Sequence, residues 1–305
     1  MSIDNVVCLV SKAPGLNSLE VIHGNSSDSL RAVITLDDRS DVRSCFTQIE
    51  NFCFERQLDF RVCNTRKETY EALLELRPDL CFVYGWYSIL DKQTLELARD
   101  GFIGVHPSVL PKYRGGASLV WSMIKGEPEV GLSIFYLSEG LDDGDVIHQI
   151  KTKVMHEDTI ATILDRLQMQ LAHELMILWP KIMLKTAPVV AQDHAAATYC
   201  AQRYPEDGEI DWKNAASAVY DFVRAQVPPY PGAFFEFNGE QVIVTRARTF
   251  EFPYVGKPGQ VARIGNGVYV ICGDDRAIIL DDLIYKGECL SASSVLRSIK
   301  IRLSC

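Results

Sequence analysis

The chain has 305 residues, 47% of them hydrophobic and 23% charged, with a formal net charge of −9. That profile describes a water-soluble globular protein with one large domain and a smaller one, and it disfavours nucleic acid, which asks for a basic surface. No stretch approaches the roughly twenty apolar residues of a membrane span, Met1-Ser2-Ile3-Asp4-Asn5 lacks the basic flank of a secretory signal, and the nine cysteines lack CxxC pairs, so a cytoplasmic protein without metal or disulfides is expected.

From the start to about residue 150, apolar runs rich in β-branched and aromatic residues alternate with segments of helical period, as in βαβ units around a parallel sheet. Predicted strands are Val6–Val10, Ala32–Leu36, Phe60–Cys63, Leu80–Tyr84, Phe102–Val105 and Leu132–Leu137, and predicted helices Cys45–Arg56, Lys67–Leu76, Gln93–Ala98 and Ser118–Ile124. Thr159–Leu178 reads as a long helix, with Ile160, Ile163, Leu164, Leu167, Leu171, Leu175 and Leu178 at helical spacing and Pro180 expected to end or kink it. Pro188 opens a run of small and polar residues that reads as a linker, followed by a short predicted helix around Ala215–Ala225. Five short predicted strands come last: Ala233–Phe237, Gln241–Ala247, Gly259–Ile264, Val268–Cys272 and Ala277–Ile284. Asn238-Gly239 and Gly265-Asn266-Gly267 between them are hairpin signals, and the set suggests a small antiparallel barrel. The expected fold is thus α/β: a Rossmann-like, doubly wound, mostly parallel sheet over residues 1–190, a linker over 191–203 and an OB-like β-barrel domain over 204–305.

Ligands of open parallel sheets sit beyond the carboxyl ends of the strands, and three junctions there carry chemistry. In Tyr84-Gly85-Trp86-Tyr87-Ser88-Ile89-Leu90 a glycine and two aromatics can present backbone groups edge-on to a flat heterocycle, or can simply cap the core. The second junction runs from Gly104 to Gly116, and in it His106 is aimed by the following Pro107 as a general base should be, although a structural histidine is the commoner outcome. Arg114 and the glycines beside it suit either an anion site or a tight surface turn. In Glu139-Gly140-Leu141-Asp142-Asp143-Gly144-Asp145 a carboxylate can orient an imidazole. A solvated acidic turn and a metal site completed by His148 compete, though the spacing is not that of an EF-hand.

The string HPSVLPKYRGG followed by EGLDDGD resembles the signature of the folate-dependent formyltransferase family. Tyr199-Cys200-Ala201-Gln202-Arg203, the run Pro205 to Trp212, and Val223-Arg224-Ala225 leading to Pro229-Tyr230-Pro231-Gly232-Ala233-Phe234 resemble the linker and C-terminal barrel of its tRNA-directed and sugar-directed branches. The resemblance implies transfer of a formyl group from 10-formyltetrahydrofolate to a primary amine, with His106 as proton shuttle and oxyanion partner and Asp142 holding it and any relaying water. It also implies a cofactor-binding set of Tyr84, Gly85, Trp86, Tyr87, Ile89, Leu110, Gly140, Leu141 and Asp142. The family pattern is Asn-x-His, and here the asparagine position is Gly104. Losing one oxyanion donor costs on the order of 3 kcal/mol, roughly a hundredfold in rate, so a backbone N–H, a water, a protonated His106 or the substrate would have to replace the amide.

Where the tRNA branch carries basic insertions, the stretch Leu36-Asp37-Asp38-Arg39-Ser40-Asp41 is short and acidic, which points to a small acceptor, an amino-sugar nucleotide first. Ser108, Lys112, Arg114, Arg203 and Tyr230 are the substrate-binding candidates, the cations for a diphosphate and Tyr230 for stacking on a base or filling the barrel core. Alternatives are a formyltetrahydrofolate hydrolase using the same pair, methionyl-tRNA or another amine as acceptor, and a low-activity folate- or nucleotide-binding descendant. A nicotinamide oxidoreductase is disfavoured, because Ser11-Lys12-Ala13-Pro14-Gly15 lacks the GxGxxG pattern. No membrane or nucleic-acid partner is expected, and a homodimer is allowed.

Overall fold

A computed structural model describes residues 2–304. They form two compact units: one holds the chain up to Gly115, Gly131–Thr152 and Asp165–Tyr199, the other Gly116–Val130, Lys153–Leu164 and the chain from Cys200 onward. Two stretches of the first 190 residues therefore belong with the second unit. The expected linker is fastened to the first at two places: Gln192 accepts from Arg114 Nη2 at 2.7 Å, and the Thr198 carbonyl accepts the Arg114 N–H at 2.9 Å.

Within the first unit β1 (Val6–Val10), β2 (Leu30–Thr35), β3 (Asp59–Val62), β4 (Leu80–Tyr84) and β5 (Phe102–His106) run parallel. After the two-residue strand β6 (Arg114–Gly115), β7 (Glu129–Tyr136) joins antiparallel to β5, and β8 (Val146–Lys153) completes the seven-stranded order β3-β2-β1-β4-β5-β7-β8. This is a mixed, mostly parallel, Rossmann-like sheet. Every residue of β1 is buried, and parallel strands covered on both faces read as continuous apolar runs.

Helix α1 (Lys12–Ser26) has no counterpart in the sequence reading, because Pro14, Gly15, Asn17 and Gly24 interrupt any apolar stripe. Pro14 is harmless in the first turn, where its missing N–H has no helical partner to lose. Gly15 is needed for close approach to the sheet: a Cβ there would lie 2.9 Å from Val10 Cβ and 3.0 Å from the Tyr84 carbonyl oxygen. Helices α2 (Phe46–Glu55), α3 (Arg66–Leu76), α4 (Lys92–Leu95) and α5 (Ser118–Ile124) fall where predicted, within a few residues. Helix α6 (Ile160–Met183) runs past Pro180 instead of ending there. Trp179 is fully buried, meets Phe82 edge-on with ring centroids 5.9 Å apart, and donates its indole N–H to Ser26 Oγ at 2.9 Å. That packing, with buried Ile182, offsets the roughly 3 kcal/mol cost of a proline within a helix.

Beyond the two-residue strand β9 (Tyr199–Cys200), the second unit places α7 (Ala216–Arg224) against an antiparallel sheet. Its strands are β10 (Ala233–Phe237), β11 (Glu240–Thr249), β12 (Val261–Ile264), β13 (Gly267–Ile271), β14 (Ala277–Tyr285) and β15 (Glu288–Ser291), and α8 (Ala292–Val295) follows. Among the described residues this sheet has six strands rather than five. β13 pairs with the first half of β14 and β15 with its second half, and Glu288-Cys289-Leu290-Ser291 carries too little apolar alternation to announce itself. Asn238 (φ 54°) and Gly239 (φ 76°) occupy the two left-handed positions of the β10–β11 hairpin turn. Trp212, Phe235, Val242, Val270 and Leu280 lie in the core beneath. Among the described residues no helix is long and apolar enough to cross a membrane.

Candidate functional site

The junctions after β4 and β5 leave the same, carboxyl end of the parallel strands, as expected. The third arrives differently, because β7 is antiparallel: Tyr136 lies opposite Ile103 and Ser133 opposite His106, so the chain leaves β7 beside the start of β5. Leu137 N–H donates to the Phe102 carbonyl at 2.8 Å, and the loop closes where Tyr136 N–H donates to the Asp145 carbonyl at 2.9 Å. From the middle of that loop Asp142, in the left-handed conformation at φ 50°, reaches back to His106.

The His106 ring is buried. Nε2 donates to the Tyr113 carbonyl at 2.8 Å, since a carbonyl can only accept, and Nδ1 lies 3.5 Å from Asp142 Oδ2. The same Oδ2 accepts the Gly115 N–H at 2.7 Å. With the Nε2 proton committed to Tyr113, Nδ1 is the nitrogen that can take up a proton, and the charge so created would face a carboxylate.

Behind Asp142 lies a residue that the sequence reading passed over. Gln192 Nε2 donates to the Asp142 carbonyl at 2.9 Å and to the Gly144 carbonyl at 2.6 Å, while Gln192 Oε1 accepts from Arg114 Nε at 3.2 Å and Nη2 at 2.7 Å. In the same loop Asp143 bonds the Ser138 hydroxyl and packs on Gly140, where a Cβ would lie 2.0 Å from Asp143 Oδ2.

Gly104 shares a sheet face with His106, two residues on. A Cβ at Gly104 would lie 2.7 Å from Leu137 Cδ2 and 3.3 Å from Phe135 Cε1. A Cβ there would press on the end of the Leu137 side chain, and the wall beside the imidazole is hydrocarbon. An asparagine there would have to turn that side-chain end aside.

The loop after β4 is finished differently. Ser11 Oγ donates to the Gly85 carbonyl, and Gly85, at φ 73°, is required because a Cβ would lie 2.6 Å from the Ser11 carbonyl oxygen. Tyr87, Ile89 and Leu141 are 63%, 68% and 56% exposed, leaving three large apolar side chains in water. Trp86 packs on the core, yet its buried indole N–H has no hydrogen-bond partner among the described residues. The uncovered apolar surface fits a flat heterocycle. Leu110 is buried instead, its N–H donating to Ser133 Oγ and its carbonyl accepting from Gln149. Nearby, Lys12 Nζ lies 2.7 Å from Asp38 and 2.8 Å from Asp41, and 5.8 Å from the Tyr87 ring centroid. Burial opposes the charge on Lys12, but hydrogen bonds to the two carboxylates outweigh it and raise its pKa. Asp41 is held well below the usual carboxylate range, first by the Arg43 guanidinium and then by Lys12.

Two cations expected to meet a diphosphate have other commitments. Arg114 is 2% exposed and, besides Gln192, meets His194 Nδ1 at 3.2 Å and the Tyr199 hydroxyl at 3.4 Å. Arg203 lies in the second unit, its guanidinium 4.7 Å from the Trp121 ring centroid, donating to the Asp207 carbonyl at 2.6 Å and Gln226 Oε1 at 2.7 Å. Lys112 is exposed. Ser108 is buried, and its hydroxyl closes a turn on the Lys112 carbonyl at 2.7 Å. Tyr230 is half-buried in the second unit, where its N–H donates to the Val227 carbonyl at 3.2 Å. His148 pairs with Glu174 at 3.3 Å, and among the described residues no three His, Cys, Asp or Glu side chains converge as metal ligands do.

The His106–Asp142 pair thus lies within a Rossmann-like unit, and the sequence of that unit shows its class: a formyl-group transferase. The chain belongs to the formyl transferase family: residues 5–178 match that family and residues 203–300 match the formyl transferase C-terminal domain. It is 32% identical over 233 residues to the methionyl-tRNA formyltransferase of Syntrophus aciditrophicus (strain SB), covering 76% of this chain and 74% of that one. Among solved structures, WlaRD, a sugar 3N-formyl transferase determined with dTDP and 5-N-formyl-THF, has a TM-score of 0.70 at 15% identity, over 92% of this chain and 98% of its own. An N-formyltransferase from Helicobacter canadensis, in complex with folinic acid and dTDP-3-aminofucose, has a TM-score of 0.69 at 18% identity, over 91% and 98%. At such identities the likeness to both is one of fold.

Proposed function

We propose that this formyltransferase moves the formyl group of 10-formyltetrahydrofolate to the primary amine of a small substrate, an amino-sugar nucleotide first. The observation that carries the chemistry is the approach of His106 Nδ1 to Asp142 Oδ2 at 3.5 Å. The carrier supplies the activated one-carbon unit. The amine nitrogen bonds to the formyl carbon and gives its proton to His106 Nδ1 while Nε2 stays on Tyr113, Asp142 faces the resulting imidazolium, and the same Nδ1 returns that proton to the carrier nitrogen as its bond to the formyl carbon breaks. With Leu137 beside Gly104, the protonated Nδ1 is the side-chain donor this wall offers to a developing oxyanion. Tyr87, Ile89 and Leu141 would cover the carrier's ring, and a shift of the loop would bring the buried Trp86 N–H to its edge.

The acidic β2–α2 segment supports a small acceptor. Its Asp38 and Asp41 bind Lys12, and its Asp37 binds Arg39 at 2.6 Å, so the cations nearest it are already neutralised and a polyanion would find little to bind. A methionyl-tRNA acceptor is the second reading, favoured by the sequence relative that matches three quarters of the chain. Incubation with 10-formyltetrahydrofolate and a panel of amino-sugar nucleotides, amino acids and methionyl-tRNA separates the two by the mass gain of one formyl group. Formylation of methionyl-tRNA alone would replace the proposed acceptor, and formate release with no acceptor present would identify a hydrolase.

A further inference from the structure

We infer that Gln192 is a positioning residue for Asp142, acting through the loop backbone. The inference rests on the reading of His106 and Asp142 as the reacting pair. A carboxamide has one accepting and one donating end, and here the arrangement decides which is which. Arg114 offers two N–H groups to one end, which must be the oxygen, so the NH2 end is turned into the loop and donates to the carbonyls of Asp142 and Gly144. One side chain thereby ties down the backbone at and just beyond a residue held in the left-handed region, which residues other than glycine rarely adopt. Arg114 and Gln192 are 2% and 7% exposed, so the side chains that supply these bonds are themselves fixed in the interior.

The carboxylate is gripped from the same place. Asp142 Oδ2 accepts the N–H of Gly115, the residue after Arg114, and the Arg114 N–H is itself bonded to the Thr198 carbonyl. Backbone and side chain of Asp142 are thus referred to one buried frame of Arg114, Gly115 and Gln192. A displacement of about 1 Å at a reacting group can cost roughly a hundredfold in rate. Among the described residues Gln192 makes no hydrogen bond to His106 or to the β4 loop, so its loss should fall more on turnover than on binding.

The test is a double-mutant cycle with Gln192→Glu and Asp142→Asn, measuring kcat and both KM values, with single-turnover formylation for the slow variants. Gln192→Glu keeps the size and the Arg114 partner but sets an oxygen against two carbonyls. It should lower kcat roughly 30-fold, leave both KM values within about twofold, and cost nothing further in the Asp142→Asn background. An equal fractional loss in both backgrounds, or an unchanged kcat, would overturn the inference. If Asp142→Asn by itself turns over normally, the reading of the reacting pair fails, and the inference with it. Should Gln192→Glu not fold, judged by thermal melting, Gln192→Asn replaces it in the cycle: its shorter amide keeps the donors but reaches the loop less well, and a smaller kcat loss that vanishes with Asp142→Asn is expected, while an additive loss or none overturns the inference.

Discussion

The loops after β4 and β5 leave one end of one sheet, yet they are finished in opposite ways. After β5, both nitrogens of His106 face acceptors, Asp142 is bonded by Gly115, and Gln192 and Arg114 satisfy one another and the neighbouring backbone. After β4, the Trp86 N–H is buried without a partner and Tyr87 and Ile89 stand in water. On the proposed reading, the groups that would handle protons are held in place by the protein itself. The loop that would receive the carrier is left incomplete, because a donor already bonded internally would have nothing to gain.

The largest expected effect tests the first half of that contrast. His106→Ala should lower turnover by about a thousandfold or more, with carrier affinity within about twofold by fluorescence titration. Near-normal turnover would remove the imidazole from the chemistry. Next comes the hydrocarbon wall. Gly104→Asn alone should bring at most a small gain, because its Cβ would first have to displace the Leu137 side-chain end, 2.7 Å away. The same change in a Leu137→Ala background should raise kcat by roughly tenfold to a hundredfold over Leu137→Ala, as a restored oxyanion donor does. A comparable gain from the single change would show that Leu137 yields readily.

The second half of the contrast predicts a smaller effect. Trp86→Phe should weaken the carrier about threefold to tenfold, the worth of one hydrogen bond, with kcat unchanged. An unaffected dissociation constant would mean the indole N–H is not a ligand donor. Smallest is a stability effect beside that loop. Hydrogen bonding from Arg43, then Lys12, holds Asp41 below its ordinary value of 3.8, so its contribution is present in full above that pH and is lost as pH falls below it. Asp41→Asn should therefore lower the urea midpoint at pH 7 and lower it less at pH 3. An equal deficit at both values would assign the effect to packing.

How much of this could be read beforehand depends on how local the cause was. The apolar runs of β1 and β4, the left-handed Asn238-Gly239 turn and the periodicity of α6 arise from neighbours in the chain, and they were legible. Helix α1 was not, because Gly15 looks like a breaker until Val10 and Tyr84 are placed against it. Leu137 and Gln192 carried no signal at all, one a leucine in an apolar run and the other a polar residue in a stretch that reads as a linker. Arg114 and Arg203 were visible as cations, but their commitments to Gln192 and to Trp121 depend on residues far off in the chain.

Composition, periodicity and two short strings determined the layered sheet, the second antiparallel unit and the presence of His106 and Asp142 in one family of enzymes. The tertiary structure alone decided which nitrogen of His106 is committed to Tyr113, what lies beside Gly104, and what holds Asp142 in place. Backbone preference and apolar burial act over a few residues and leave their period in the sequence. A hydrogen bond is satisfied by whichever group stands within about 3 Å, and only the folded chain brings those groups together.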